Sequence, residues 1–397
     1  MRHRVVILGG GTAGISVAAR LRRAGESDVV VVEPSRLHYY QPLWTLVGAR
    51  QARLEDSVRL EAQVMPQGVV WVQDWAEAVD PEGCFVVTRS GSKISYDVLV
   101  VCPGVELAWD LVAGLEEALS SPWVSSNYAP ELALKSAELL GRFRGGRAVF
   151  VAPATPIKCP GAPQKAAYMA SDYWLRRGLG GAVEVCFATA AGGIFGVPEF
   201  ARVLEGVVRR YGIKTFFSHD LIEVDASAKT AKFIVTTPEG KQAVTLSYDL
   251  LHVAPPQQPP RFVREGPLAG PTPGGWIEVD PHTLQHRRYP NVFALGDASD
   301  APTSKTGAAV RRQAPVVARG VAAVLAGRQP TGYYDGYAAC PFTTRRGRVV
   351  MAEFDYSLAP HPTIPLVDTK RERWDMWVVK KSLLPRFYWS LMLKGLA

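Results

Sequence analysis

Cysteine is scarce: the chain holds five in 397 residues, Cys84, Cys102, Cys159, Cys186 and Cys340. So few, so widely spread, cannot staple a secreted domain of this size, and any disulfide is expected to be catalytic rather than structural. Long hydrophobic runs are missing too, so membrane contact is expected to be peripheral. The seven histidines show no ligand spacing, and no metal is expected. The formal charge of +8 comes with scattered arginines and without zinc-finger spacing or an RNP-like aromatic motif. That charge suits an anionic membrane surface, and no nucleic-acid partner is expected. There is no low-complexity tract and no repeat beyond two nucleotide-type units. An apolar strand begins within a few residues of Met1, which leaves no room for a signal or transit peptide and predicts a protein kept in a bacterial cytoplasm.

What is present begins at that strand. RVVIL runs straight into GGGTAG and then ISVAARLRRAG, whose apolar positions recur at helical spacing. Gly9, Gly11 and Gly14 fit G-x-G-x-x-G: the first permits a tight turn, the second lets backbone approach a pyrophosphate, and the third lets helix pack on strand. A second strand, DVVVVE, ends in Glu33, near the interval at which a carboxylate accepts hydrogen bonds from an adenosine ribose.

A further strand, NVFALGDAS, ends at Gly296 and Asp297 and leads through TSKTG, with Lys305 and Thr306, into a long helical pattern. It resembles the second flavin fingerprint of the two-dinucleotide-binding-domain flavoproteins. The resemblance implies bound FAD, with Asp297 on the ribityl chain and the helix start aimed at the flavin, where its dipole stabilises a reduced, anionic ring. YDVLVVCPG resembles the segment by which such chains re-enter the FAD domain. The loop of His38, Tyr39, Tyr40, Gln41 and Pro42 is expected beneath the flavin, with Gln41 among the cofactor-binding residues and His38 in a packing role.

Between these fingerprints lies a second unit with strand-helix-strand-helix patterning. Its first strand ends in VFVAPATPIKCPGAPQK, where prolines, a lysine and Cys159 replace the glycine turn. Backbone cannot close around a pyrophosphate there, so NAD(P)H is not expected as electron donor. A thiol beside a flavin needs a partner for two-electron chemistry. YYDGYAACPFTT offers Cys340, again followed by proline, which is expected to hold the sulfur on a loop. Cys84, Cys102 and Cys186 lie in strand-like runs and are read as buried thiols.

PSRLHYYQPLWTLVGA, ATPIKCPGAPQK, PTSKTGAAV, YDGYAACP and the terminal LLPRFYWSLMLKG together resemble sulfide:quinone oxidoreductase of the type that includes the mitochondrial enzyme. That resemblance implies that Cys159 forms the thiolate interacting with flavin C4a, that Cys340 carries the persulfide, and that sulfide is the donor. It implies a sulfane sulfur acceptor such as a small thiol, sulfite or cyanide, and ubiquinone or menaquinone as oxidant. Another branch carries a third cysteine where this chain has Ser125 and Ser126, which favours the two-cysteine branch. Lys158 and Lys165 are candidates for lowering the sulfur pKa.

RERWDMWVVKKSLLPRFYWSLMLKGLA reads as two short amphipathic patterns hinged at Pro385, suited to a membrane interface. The resemblance places the quinone near the second cysteine and the terminal helices, with Phe342, Phe387, Tyr388 and Trp389 as quinone-binding residues. The expected fold is α/β with two Rossmann-like domains and a C-terminal membrane-binding segment. Residues 1–110 and 256–335 form the split FAD domain, 111–255 the domain carrying Cys159, and 336–397 the region with Cys340, the quinone site and the anchor. The expected location is the cytoplasmic face of a bacterial inner membrane, and a homodimer is left open. The alternatives are a type II NADH:quinone oxidoreductase, a pyridine nucleotide disulfide reductase, a flavocytochrome-type sulfide dehydrogenase and a flavin-binding sensor without turnover.

Overall fold

The computed structural model describes residues 2–154 and 156–397. Met1 and Thr155, the latter inside the ATPIKCPGAPQK segment, lie outside the described residues. Strand β1 (Arg2–Leu8) turns at Gly9 into helix α1 (Thr12–Arg23) and returns as β2 (Val29–Val32). The two strands run parallel with Leu8 opposite Val32, so they stop level and the turn sits on the carboxyl edge of the sheet. Gly9 has φ +101°, and a Cβ there would lie 2.5 Å from the Cys102 carbonyl oxygen. A side chain is therefore excluded both by conformation and by space. A short helix, α2 (Trp44–Gly48), precedes β3 (Val70–Val72), β4 (Ala76–Asp80), β5 (Phe85–Thr88) and β6 (Lys93–Val101). The sheet order is β3-β2-β1-β6-β5-β4, parallel from β3 to β6.

The chain then builds a second sheet from β7 (Val124–Ser125), helix α3 (Pro130–Arg142), β8 (Gly146–Ala152), helix α4 (Ala162–Arg176), β9 (Val183–Thr189), helix α5 (Pro198–Tyr211) and β10 (Lys214–Phe216). An antiparallel meander, β11 (His219–Asp225), β12 (Thr230–Thr237) and β13 (Gly240–Ser247), leads to β14 (Leu250–Val253). The order β7-β14-β8-β9-β10 is parallel throughout, the arrangement that strand-helix alternation dictates. Strand β15 (Val292–Ala294) rejoins the first sheet beside β6, and helix α6 (Gly307–Leu325) follows. These are the α/β layers with parallel Rossmann-like sheets that the strand-helix patterning predicts.

Three local expectations are corrected. Cys340 is not on a loop: it lies in β16 (Ala338–Arg345), paired antiparallel with β17 (Arg348–Phe354). Pro341 is tolerated because a two-stranded hairpin consists of edge strands, where a missing N–H breaks no central ladder. Cys84 sits in a left-handed turn between β4 and β5, at φ +54°, rather than within a strand. Pro385 does not hinge two helices. Helix α7 (Trp374–Val378) passes through a π-helical turn, Val379–Leu383, directly into α8 (Leu384–Ser390), so the helical trace continues past the proline. The wider turn absorbs the hydrogen bond that proline cannot donate.

One face of this C-terminal segment is buried: Met376 and Trp377 pack with Leu43, Leu46, Met169 and Met351, while Tyr388, Met392 and Leu393 join the core of the first sheet. Trp374, Leu383 and Leu391 of the same segment are exposed. No helix among the described residues is long and apolar enough to cross a membrane.

Candidate functional site

Cys159 and Cys340, distant in sequence, meet where the loop after β8 faces strand β16. Cys159 adopts φ +50°, a left-handed conformation rarely populated by residues other than glycine. Two contacts hold it: its N–H donates to the Lys305 carbonyl at 2.7 Å, and its own carbonyl accepts from the Ala162 N–H at 2.8 Å. Gly161 lets the second sulfur approach, since a Cβ there would stand 2.6 Å from Cys340 Sγ and 2.4 Å from the Phe342 ring.

Lys165, on the first turn of α4, completes the site. Its Nζ lies 3.0 Å from Cys159 Sγ and 3.8 Å from Cys340 Sγ, and the residue is only 2% exposed. An isolated buried ammonium would lose its proton. Here burial does push the Lys165 pKa down, but the facing sulfurs outweigh it and the net shift is upward. The Cys159 thiol is held well below its usual range, first by the hydrogen bond from Cys340 and, against burial, by the Lys165 charge. Donating that bond, together with burial, holds the Cys340 thiol well above its usual range. The pair is thus biased toward ionisation at Cys159, the part-exposed residue, with the proton kept on buried Cys340. Lys158, the other candidate cation, points elsewhere: its Nζ is 5.8 Å from the Trp44 ring, and its charged neighbour is Asp297.

Lys380, which sequence reasoning missed, is the third lysine of the site. It is buried on the π-helical turn, and burial first, then repulsion from Lys165, pushes its pKa down to about 7 despite the pull of both sulfurs. In the sequence it is one of two adjacent lysines in an amphipathic stretch, and nothing local separates it from exposed Lys381. The unusual turn before Pro385 is the signal that turns it inward.

Beside the thiols, the first sheet offers a cradle that fits a dinucleotide. A Cβ on Gly14 would collide with the Gly9 carbonyl at 1.8 Å, whereas Gly11 faces open space. Glu33 accepts from the N–H groups of Gly10 and Ser35, both at 2.7 Å, which fixes its carboxylate at the turn. Asp297 lies in the turn after β15, and burial raises its pKa against the attraction of Lys305 and Lys158. Lys305 spans this loop, donating to the Ser299 carbonyl at 2.8 Å with its Nζ 3.8 Å from the Trp276 ring; burial lowers its pKa to about 8. Thr306 caps α6, its hydroxyl accepting from the Ala309 N–H. Gln41 is exposed, on the short 3-10 turn before α2.

The expected quinone residues fall in two places. Phe342 is buried beside Cys340, edge-on to Phe195 at 5.0 Å. Tyr388 is buried against the first sheet, where its hydroxyl meets Thr12 Oγ1 at 2.8 Å and His38 Nε2 at 2.5 Å. His38 Nδ1 in turn meets Glu61 Oε2 at 3.1 Å, so His38 anchors α8 as well as packing. Phe387 and Trp389 keep part-exposed faces, and Tyr40 lies 4.5 Å from the Tyr388 ring. Among the other cysteines, Cys102 and Cys186 are buried, and burial raises the pKa of Cys186 to about 11. No cluster of metal-ligating residues occurs among the described residues.

Residues 3–139 match the pyridine nucleotide-disulphide oxidoreductase family model. Over 394 residues the chain is 40% identical to the mitochondrial sulfide:quinone oxidoreductase of Mus musculus, covering 99% of this chain and 87% of the relative. It is 31% identical to the Schizosaccharomyces pombe protein, covering 99% and 90%. The chain belongs to the sulfide:quinone oxidoreductase family, of the mitochondrial type, and is a flavoprotein oxidoreductase. The crystal structure of the Aquifex aeolicus sulfide:quinone oxidoreductase superposes with a TM-score of 0.82 at 19% identity, covering 99% of this chain and 92% of that one, which shows a shared fold.

Removing the Lys165 charge should move the thiol chemistry in a stated direction. In Lys165→Met the pH midpoint for iodoacetamide alkylation of Cys159 is expected to rise, with slower reaction at neutral pH. An unchanged midpoint would show that the ammonium does not stabilise the thiolate.

Proposed function

We propose that this chain oxidises sulfide to sulfane sulfur through a Cys159–Cys340 redox pair and passes two electrons through FAD to a membrane quinone. The observation that carries this reading is the buried Lys165 ammonium facing both sulfurs at 3.0 and 3.8 Å. Starting from the oxidised pair, hydrosulfide attacks the Cys340 sulfur. The bond between the cysteines breaks, a persulfide forms on Cys340, and Cys159 leaves as a thiolate. Lys165 stabilises that leaving group, and a low thiol pKa makes it a good one. Lys380, buried on the π-helical turn with a pKa of about 7 and within electrostatic reach of the sulfurs, can take or return a proton. Transfer of the outer sulfur to an acceptor such as a thiol, sulfite or cyanide, followed by re-closure of the disulfide, releases two electrons.

The residues present fit FAD. The Gly9–Gly14 backbone would hold the pyrophosphate, Glu33 the ribose, and the Asp297–Thr306 loop with the start of α6 the flavin end, with Gln41 nearby. When bound, FAD supplies the acceptor for the two electrons and hands them to quinone. Phe387 and Trp389 offer part-exposed aromatic faces on the quinone side, with buried Tyr388 packed against Trp389, while buried Phe342 lies apart, beside Cys340. Exposed Trp374, Leu383 and Leu391 beside exposed Lys381, Arg386 and Lys394 support peripheral attachment to an anionic membrane.

Anaerobic titration tests the donor. Sulfide should bleach the flavin absorbance again after each addition of quinone, whereas NADH should leave it unchanged. Lys165→Met should slow the sulfide step by about 100-fold, the usual cost of removing one charge-stabilising donor. Bleaching by NADH and not by sulfide would reverse the assignment. For the membrane surface, replacing Trp374, Leu383 and Leu391 together by serine should abolish sedimentation with anionic vesicles. Undiminished sedimentation would place the contact elsewhere.

A further inference from the structure

We infer that an internal cavity behind α4 binds one small neutral hydrogen-bonding molecule, and that hydrogen sulfide in its uncharged diprotic form occupies it during turnover. The choice of occupant rests on the activity proposed above.

The cavity measures ≈ 30 Å³, room for one or two molecules the size of water. It lies between α2, α3, α4 and β14, and its wall includes Asn127, Phe150, Ala166, Ala170 and His252, all buried. His252 is 4% exposed, and neither ring nitrogen has a hydrogen-bond partner among the described residues. The same holds for Asn127 Oδ1. A buried polar atom left unmet destabilises the fold, so two imidazole nitrogens and an amide oxygen in one wall point to an occupant that both donates and accepts. The ring is stacked on Phe150 at 5.5 Å, which fixes its direction.

Size and charge then select the occupant. No residue of the wall carries a full charge, and burial lowers the His252 pKa to about 4, so the ring is neutral near neutral pH. Hydrosulfide, sulfite or cyanide anions would be desolvated there without a cation to meet them. A quinone or a thiol cofactor is too large. The remainder of the wall is mostly leucine, alanine and aromatic, suited to a polarisable molecule that hydrogen-bonds weakly.

Position ties the cavity to the thiols. Ala166 in its wall follows Lys165 on α4, and Asn127 precedes Tyr128, whose hydroxyl donates to the Lys158 carbonyl at 3.2 Å and the Cys159 carbonyl at 3.4 Å. The two spaces therefore share backbone while differing in charge: one neutral, the other holding Lys165, with Lys380 in electrostatic reach. A molecule that crosses as uncharged hydrogen sulfide can lose one proton to the neutral amine of Lys380, giving hydrosulfide and an ammonium, with no change in total charge.

The test uses the full-length holoprotein and sodium sulfide. In His252→Phe, which keeps the stack and removes both nitrogens, the second-order rate constant for anaerobic flavin bleaching by sulfide should fall at least roughly 5-fold, the worth of one hydrogen bond. Bleaching by dithionite should be unchanged, and His252→Asn, which restores a donor and an acceptor, should recover part of the sulfide rate. Sulfide-soaked crystals of the wild-type protein should show anomalous sulfur density in the cavity, a readout that holds even if His252→Phe folds poorly. An ordered water only, or a His252→Phe protein bleached at the wild-type rate, overturns this inference and leaves the proposed activity standing. A wild-type protein that sulfide does not bleach overturns that activity itself.

Discussion

A charged lysine buried against two sulfurs is the constraint from which the rest of the site follows. An ammonium withdrawn from water survives only where negative charge and hydrogen-bond acceptors meet it, and here the acceptors are Cys159 Sγ and Cys340 Sγ. The requirement is mutual. The Cys159 thiol pKa is held low by the hydrogen bond from Cys340 first and then by the facing cation, and the cation keeps its proton because both sulfurs face it. Around this pair the backbone is shaped to suit: a left-handed Cys159, a side-chain-free Gly161 and a strand that carries Cys340 inward. Losing any of the three groups leaves another buried and unmet, which makes the arrangement one unit rather than three contacts.

The unit is joined to the rest of the molecule at two points. The Cys159 N–H bonds the Lys305 carbonyl, so the thiol loop of the second sheet is tied to the loop after β15 in the first. On the other side, Tyr388 links α8 to Thr12 at the start of α1 and, through His38, to Glu61. The C-terminal segment thereby reaches the nucleotide-type turn by contact, and through the charge of Lys380 it bears on the thiols. Exposed Trp374 and Leu383 and buried Lys380 belong to the same short helical stretch.

The parts legible in sequence are those fixed by local backbone demands. The Gly9, Gly11 and Gly14 turn, the strands ending in Glu33 and Gly296, and the alternating elements of the second unit all follow from periodicity and from glycine's freedom at one place. The pairing of Cys159 with Cys340 is not local; the need of a flavin-side thiol for a partner and the repeated Cys-Pro pattern point to it, and the family resemblance gives each sulfur its role. Lys158 and Lys165 were indistinguishable as loop or first-turn lysines, because what separates them is which side of the Cys159 turn each faces. The Cys-Pro rule misled at Cys340, since an edge strand of a hairpin accommodates proline as readily as a loop does. Lys380 and the His252 cavity were beyond reach, because burial of a polar side chain is decided by the elements packed over it.

The most direct test of the central claim is covalent. When the protein is oxidised by quinone and digested without reduction, peptide mass mapping should recover Cys159 and Cys340 in one linked peptide, with Cys84, Cys102 and Cys186 as free thiols. Recovery of Cys159 and Cys340 in separate peptides, or either joined to another cysteine, would contradict the account.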